Sequence, residues 1–248
     1  MDPRELLLVT AVVLVAAFVK GAVGFGFPVL ATSLLALFFD VRVIIPLLIV
    51  PNVVMDGAQA IRGPGLRAAL HRHRWLLVAG TGGMFAGTAI LARLPSARLE
   101  VVLGVVVLIF VTFNVMDLAF RVPARHEWWL SPSVGAFGGV VGGVTNAPGI
   151  PLILYFYALG LEKREFVQSI ALSFLAYKLA QFVAMSYFGL LSFSNLGLSS
   201  AVAVVAFAAF RFGRHVQDRL DAAVFNRIVL GLLGVIGAWL IVRSLWGS

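Results

Sequence analysis

The chain has 248 residues, of which 61% are hydrophobic and only 12% are charged, and its mean hydropathy is +1.01. A soluble domain carries about 25% charged residues, and one core of this size cannot bury so much apolar surface. The composition therefore predicts an integral membrane protein whose apolar surface faces lipid. The formal net charge of +8 comes from short basic clusters between apolar runs. Such clusters are typical of charges that set membrane topology, and we expect no nucleic-acid partner.

The composition also disfavours several kinds of chemistry. The absence of cysteine excludes disulfides and thiol reactions. The four histidines lie in or beside basic loops without metal-ligand spacing, so we expect no metal and no cofactor. The sequence contains neither a Walker motif nor a constellation of nucleophile and base, so it predicts neither an ATPase nor a membrane enzyme.

Ten apolar segments follow one another in chain order. They run approximately over residues 6–19, 27–39, 43–61, 75–92, 99–120, 134–144, 150–161, 166–191, 198–210 and 223–245. Several match the roughly 20 residues that a spanning helix needs. The first two segments, taken together, contain GAVGFGFP (Gly21–Pro28) in their middle, and the sixth and seventh contain GGVVGGVTNAPGIP (Gly138–Pro151). Because glycine and proline interrupt helices, we predict that each pair is two short helices meeting at a break, either re-entrant or fully spanning.

The distribution of positive charge favours counting each broken pair as two segments. With ten segments, the loops on one side contain eleven Lys and Arg residues and those on the other side five, whereas eight segments give an even split. The positive-inside rule therefore supports ten segments, with both termini outside and the Arg62–Arg74 loop in the cytoplasm. The eleven residues are Arg62, Arg67, Arg72, Arg74, Arg121, Arg125, Lys163, Arg164, Arg211, Arg214 and Arg219.

The two halves of the chain resemble each other. VMDGAQA (Val54–Ala60) aligns with AYKLAQF (Ala176–Phe182) at a constant offset, and the pattern G-x5-R-L occurs in both halves, at Gly87–Leu94 and Gly213–Leu220. The offset pairs Asp56 with Lys178, Gln59 with Gln181 and Arg42 with Arg164. We predict an all-α polytopic membrane protein with a first repeat over residues 1–125 and a second over residues 126–248, together forming one transmembrane domain. Five segments per repeat make the halves inverted relative to each other.

These motifs resemble the TauE/SafE family of sulfite-exporter-like permeases over essentially the whole chain. The resemblance rests on KGAVGFGFPVL (Lys20–Leu30), on the segment Gly138–Phe174 and on the two G-x5-R-L endings. It implies a multi-pass protein of the bacterial inner membrane that moves a small sulfur-containing anion, such as sulfite or a sulfonate. The breaks lack the run of consecutive glycines that is usual in the family, which leaves the substrate open.

The breaks are the predicted substrate site. A helix that begins inside the membrane presents free N–H groups and the positive end of its dipole, which suit an anion. Glycine allows close approach of the anion, and proline suits the first helical turn. The alternative is that the glycines only allow tight helix packing. The candidate substrate-binding residues are Lys20, Gly24, Gly26, Pro28, Asn146, Pro148, Gly149, Pro151 and Lys178.

Charged residues inside the apolar segments are the second set of candidates. Lys178 and Asp56 are interpreted as an ion pair between the halves, as a substrate-attracting lysine, or as a proton-coupling carboxylate. Lys20 faces either the anion or, by snorkelling, the lipid headgroups. The candidate coupling or inter-repeat polar residues are Asp56, Gln59, Gln181 and Asn52.

The function predicted from these features is secondary transport of a small anion by alternating access, with a coupling proton or ion as a further partner. The alternative is a passive anion channel that uses the same breaks as its filter.

Overall fold

The computed structural model describes residues 2–63, 65–116, 121–216 and 222–246. The described residues form twelve α-helices and one short 3-10 helix, Ala124–His126, and contain no strand. The helices are α1 (Pro3–Val23), α2 (Phe27–Leu35), α3 (Val41–Leu47), α4 (Ile49–Ala60), α5 (Leu66–Arg72), α6 (Arg74–Arg93), α7 (Ser96–Val115), α8 (Glu127–Thr145), α9 (Gly149–Ala158), α10 (Lys163–Tyr187), α11 (Phe193–Val216) and α12 (Ala222–Trp246).

Several of these helices have the length and composition of membrane spans. In the described part of the chain, α1, α6, α7, α10 and α11 are long and apolar enough to cross a membrane. The pair α3 and α4 is a sixth candidate, bent by 43° where the two helices meet. Pro46 lies inside α3 just before this bend, and proline bends a helix because it lacks an N–H group. The prediction of an all-α polytopic membrane protein is confirmed.

Both predicted breaks interrupt the chain, but the helices around them have unexpected lengths. The first helix of each pair is not short: α1 has 21 residues and α8 has 19. At about 1.5 Å per residue these helices are long enough to cross the hydrocarbon core. The second helices, α2 with nine residues and α9 with ten, are not. Each pair therefore consists of one full-length and one short helix, which corrects the prediction of two short helices.

Packing against α6 explains why the glycine-rich part of α8 stays helical. An added Cβ atom on Gly139 would lie 2.1 Å from the carbonyl oxygen of Gly80, and one on Gly143 would lie 2.6 Å from that of Met84. The glycines allow this close approach, and the contact stabilises the helix that they would otherwise weaken. The tight-packing interpretation is thus correct for α8. The break itself lies beyond these glycines, at Asn146–Pro148.

The two halves interlock through matching contacts. Helix α6 packs along α8, and α11 packs along α1. The second contact is as close as the first, since a Cβ atom on Gly213 would lie 2.2 Å from the carbonyl oxygen of Phe18. Helices α7 and α12 pack on each other, as do α4 and α10. These contacts are those expected of two repeats, while their inverted orientation stays a prediction.

The two G-x5-R-L patterns fall near helix ends. The first pattern covers the last turns of α6, which ends at Arg93. The second extends beyond α11 into residues 217–220, which lie outside the described residues, as does Arg219 of the predicted cytoplasmic set.

Candidate anion site at the two helix breaks

The first break is a turn whose backbone requires glycine. Gly24 and Gly26 have φ values of 101° and 100°, in the left-handed region that other residues rarely adopt. A carbonyl group at the end of a helix lacks a partner within the helix. Here Gln59 of α4 donates a hydrogen bond from Nε2 to the carbonyl oxygen of Gly24 at 2.6 Å. Helix α4 therefore stabilises the first break through the side chain of Gln59.

A buried ion pair lies one turn from this contact. Lys20, in the last turn of α1, pairs with Asp56 of α4, and their side chains are 1% and 0% exposed. Asp56 lies one helical turn before Gln59 in α4, and Lys20 lies one turn before Gly24 in α1. The ion pair therefore repeats the contact of Gln59 with Gly24 one turn earlier in both helices. The interpretation of Asp56 and Lys178 as a direct ion pair is therefore wrong. Lys20 does not snorkel to the lipid headgroups either, because its side chain is buried in the protein and forms an ion pair with Asp56.

At the second break, Asn146 caps the C-terminus of α8. Asn146 has a left-handed backbone with φ of 65°, which asparagine tolerates better than most residues. Its Nδ2 donates a hydrogen bond to Oγ1 of Thr32 in α2 at 2.8 Å, and its Oδ1 accepts one from Nζ of Lys178 in α10. The side chain thus connects the second break to the short helix of the first break and to α10.

Lys178 is a buried cation with neutral partners. Besides Asn146, its Nζ donates to Oε1 of Gln181 at 2.6 Å. The side chain is fully buried, and no described carboxylate lies within ion-pair distance of it. Amide oxygens stabilise an ammonium group without cancelling its charge. Among the described residues, Lys178 therefore lacks the carboxylate partner that Lys20 has in Asp56.

The polar side chains around the two breaks occupy matching positions in the two halves of the sequence. The offset that pairs Asp56 with Lys178 and Gln59 with Gln181 also pairs Gly24 with Asn146. Both of these residues have a left-handed backbone and cap the full-length helix of their pair. At each break, one polar side chain of a neighbouring helix, Gln59 of α4 or Lys178 of α10, bonds the capping residue itself.

The two breaks meet across a very small cavity of about 10 Å³. Such a volume holds about one water molecule. Four of the predicted residues line it, Gly26 and Pro28 from the first break and Pro148 and Gly149 from the second. The other lining residues are Phe25, Val29, Phe110, Ala147, Ile153 and Phe174. Residues of both helix starts therefore line one common space in the structure.

The other nine candidate residues do not line this cavity, and Asn52 and Pro151 are two of them. Asn52 donates from Nδ2 to the carbonyl oxygen of Leu48 in its own helix at 2.8 Å, and its buried Oδ1 has no hydrogen-bond partner. Pro151 lies in the first turn of α9 beside α8, since a Cβ atom on Gly138 would lie 3.2 Å from the Cγ atom of Pro151. Neither residue lines the space between the breaks.

Sequence reasoning missed two residues that contact the breaks. Thr32 accepts a hydrogen bond from Asn146. Phe174 lines the cavity between the two breaks, and its ring centroid lies 5.7 Å from Nζ of Lys20. Thr32 follows the first break by little more than one helical turn, and a polar residue at that position was the available signal. Nothing in the sequence distinguishes Phe174 from the other apolar residues of its segment.

The chain is similar to a known protein family over nearly its whole length. A family model described as sulfite exporter TauE/SafE matches residues 9–240, a range that includes both breaks and both lysine clusters. Searches of curated proteins and of solved structures gave no match. A match over this much of the chain identifies a membrane transporter of the sulfite-exporter type. The chain belongs to the TauE/SafE sulfite exporter family.

Proposed function

We propose that this chain is a secondary transporter of a small sulfur-containing anion, such as sulfite or a sulfonate, in the bacterial inner membrane. The observation that carries the proposal is the burial of Lys178 beside the second break, with no carboxylate of the described residues within ion-pair distance. A buried cation of this kind costs several kcal/mol, which an anion beside it would offset. The family supports transport of the sulfite-exporter type.

The helix starts add uncharged donors to this cation. The N-cap positions of α2 and α9 are Gly26 and Pro148, and neither helix has a side chain that caps its first N–H groups. Their free N–H groups and the positive ends of their dipoles are directed toward the region where the breaks meet. An anion held there would accept hydrogen bonds from the backbone while Lys178 balances its charge.

The small cavity supports transport by alternating access over conduction through a channel. The space of about 10 Å³ between the breaks is too small for a sulfite ion. The anion site would therefore form when the two short helices separate. Such a barrier at the centre is expected of a transporter that opens to one side at a time.

We further propose that a proton is the coupling ion and that Asp56 binds it. One oxygen of this carboxylate, Oδ2, is buried without a hydrogen-bond partner. If an anion displaces Asp56 from Lys20, the buried carboxylate loses its ion-pair partner, and proton uptake would remove this cost. Anion and proton would then move together.

Flux measurements in proteoliposomes test this function. A panel of sulfite, thiosulfate, sulfonates, sulfate and carboxylates would be offered to the wild type and to Lys178→Met and Asn146→Ala. We expect counterflow of a sulfur-containing anion that responds to a pH gradient, and at least a tenfold loss of rate in Lys178→Met, equivalent to about 1.4 kcal/mol. Passive conductance without counterflow would indicate a channel. Unchanged kinetics in either variant would remove that residue from the site.

A further inference from the structure

A second and much larger cavity opens beside the first break. Its volume is about 510 Å³, and four parts of the chain meet around it: the end of α1, the loop after α4, the start of α10 and the end of α11. Five of its lining residues are basic and none is acidic. These five residues, Lys20, Arg62, Lys163, Arg164 and Arg214, define what we call the basic vestibule.

The outer cations of the basic vestibule form no ion pair with a described residue. Arg62, Lys163 and Arg164 are exposed, and Arg214 is partly buried with its guanidinium carbon 5.7 Å from the ring centroid of Phe210. None of the four forms an ion pair with any carboxylate in the described parts of the chain. Like charges around one concave surface raise the local potential, and a small anion lowers it.

The inner end of the basic vestibule is the first break. Lys20, Gly24 and Gln59 line its buried part, and Lys20 there is paired with Asp56. Oε1 of Gln59, which is buried, has no hydrogen-bond partner. The cavity thus leads from unpaired cations at the surface to a polar floor that contacts the transport site.

Topology-setting charge explains basic residues on this face, but it does not explain their convergence. The positive-inside rule distributes Lys and Arg over loops without regard to shape. Arg67 and Arg74 are exposed and line a separate surface depression formed within one short stretch of the chain, residues 67–74. Arg62, Lys163 and Arg214 come from three different loops or helix ends and line one concave space.

We propose that the basic vestibule is an anion-binding antechamber, which collects small divalent oxyanions before they reach the first break. The proposal rests on the transport function proposed above. Coulomb attraction scales with the charge of the ligand, so the vestibule favours a dianion over a singly charged anion of similar size. Because much of this attraction acts through water at the cavity mouth, added salt weakens it.

Transport kinetics from the vestibule side test the proposal. Sulfite uptake would be measured in inside-out membrane vesicles for the wild type, for Lys163→Gln/Arg214→Gln and for the matched control Arg67→Gln/Arg74→Gln. We expect the vestibule variant to raise KM about fivefold at low ionic strength with kcat within about twofold, and this difference to shrink in 0.5 M salt. The control variant is expected to keep the wild-type KM. Lys163→Gln/Arg164→Gln keeps Arg214 on Phe210, and provides a second vestibule variant if the first folds poorly.

Equilibrium binding separates this proposal from the transport function. Equal KM values in the vestibule and control variants, with active wild type, would overturn the vestibule and leave the transport function standing. If the wild type moves no sulfite, titration calorimetry of the purified proteins with sulfite decides the matter. Weaker binding in the vestibule variants alone would support the antechamber, and equal or absent binding in all proteins would overturn it.

Discussion

The two buried lysines differ in what neutralises them. Lys20 has a carboxylate partner, Asp56, whereas the hydrogen bonds of Lys178 within the described parts of the chain go to amide oxygens of Asn146 and Gln181. The free-energy cost of replacing a buried lysine depends on whether a charged partner is left behind. Without Lys20 an unpaired carboxylate stays buried, while without Lys178 only neutral groups are left.

Replacing Lys20 is expected to reduce both stability and transport. Lys20→Met leaves Asp56 buried and unpaired, which costs about 3–5 kcal/mol. Adding Asp56→Asn removes that charge, so the double variant should regain most of the lost stability and still transport poorly. Thermal unfolding in detergent and flux in proteoliposomes provide the two measurements. If the double variant melts as low as the single variant, the ion pair is not the reason for the loss.

His73 provides a pH-dependent test outside the membrane spans. It lies between α5 and α6, is 2% exposed and has Nε2 3.1 Å from Oγ of Ser169. Burial, together with the neighbouring Arg72 cation, lowers the pKa of His73 to about 4. In the unfolded chain the group takes up a proton near pH 6.5. The contribution of His73 to the free energy of unfolding is therefore constant above about pH 6.5. It decreases as the pH falls from 6.5 toward 4, because in this range only the unfolded state binds the proton.

Substituting His73 is expected to weaken this dependence. His73→Gln keeps a side chain that can bond Ser169 but removes the titrating group, so its melting temperature should fall less between pH 7 and pH 5 than that of the wild type. The exposed His71 provides the control, and His71→Gln should retain the wild-type slope. An unchanged slope in His73→Gln would show that His73 does not titrate in this way.

At the level of helices, glycine has two separate uses in this chain. Gly24 and Gly26 supply the left-handed backbone of the first break. The glycines of α6 and α8 instead allow two helix backbones to touch, and a Cβ atom on Gly83 would lie 2.2 Å from the carbonyl oxygen of Ala136. Glycine content alone does not distinguish these uses, because both produce the same composition.

Neighbouring glycines in α6 make the packing role measurable. Gly83→Ala places a methyl group against the backbone of α8 and should destabilise the protein by about 1–3 kcal/mol. Gly82→Ala meets no atom within 4 Å and should be neutral or stabilise by up to about 1 kcal/mol through helix propensity. Melting temperatures of the two variants give the comparison. Equal effects would mean that the close contact of α6 with α8 is not needed for stability.

At the scale of the whole molecule, basic residues from distant parts of the chain lie on one face. The ends of α4 and α11 and the start of α10 surround one cavity, so the structure shows that these loops share a side. The ten-segment threading predicts the same grouping. Which side of the membrane this face occupies remains a prediction from the positive-inside rule.

Cysteine labelling tests the threading directly, because the chain contains no native cysteine. Lys163→Cys lies on the predicted cytoplasmic face, and Ser194→Cys lies in the first turn of α11, at its opposite end; both positions are exposed. We expect an impermeant maleimide to label Ser194→Cys in intact cells and Lys163→Cys only in inside-out vesicles. The reverse pattern would invert the topology, and labelling of both in intact cells would contradict the threading.

The sequence by itself determined that the chain is a helical membrane protein, where its helices break and which family it belongs to. These properties depend on hydrophobic runs, on glycine and proline, and on local order along the chain. Only the tertiary structure decided that Lys20 pairs with Asp56, that Asn146 bonds Thr32 and Lys178, and that four loops and helix ends form one vestibule. Such contacts join residues far apart in sequence, and a buried charge takes whichever partner the packing of the helices brings within reach.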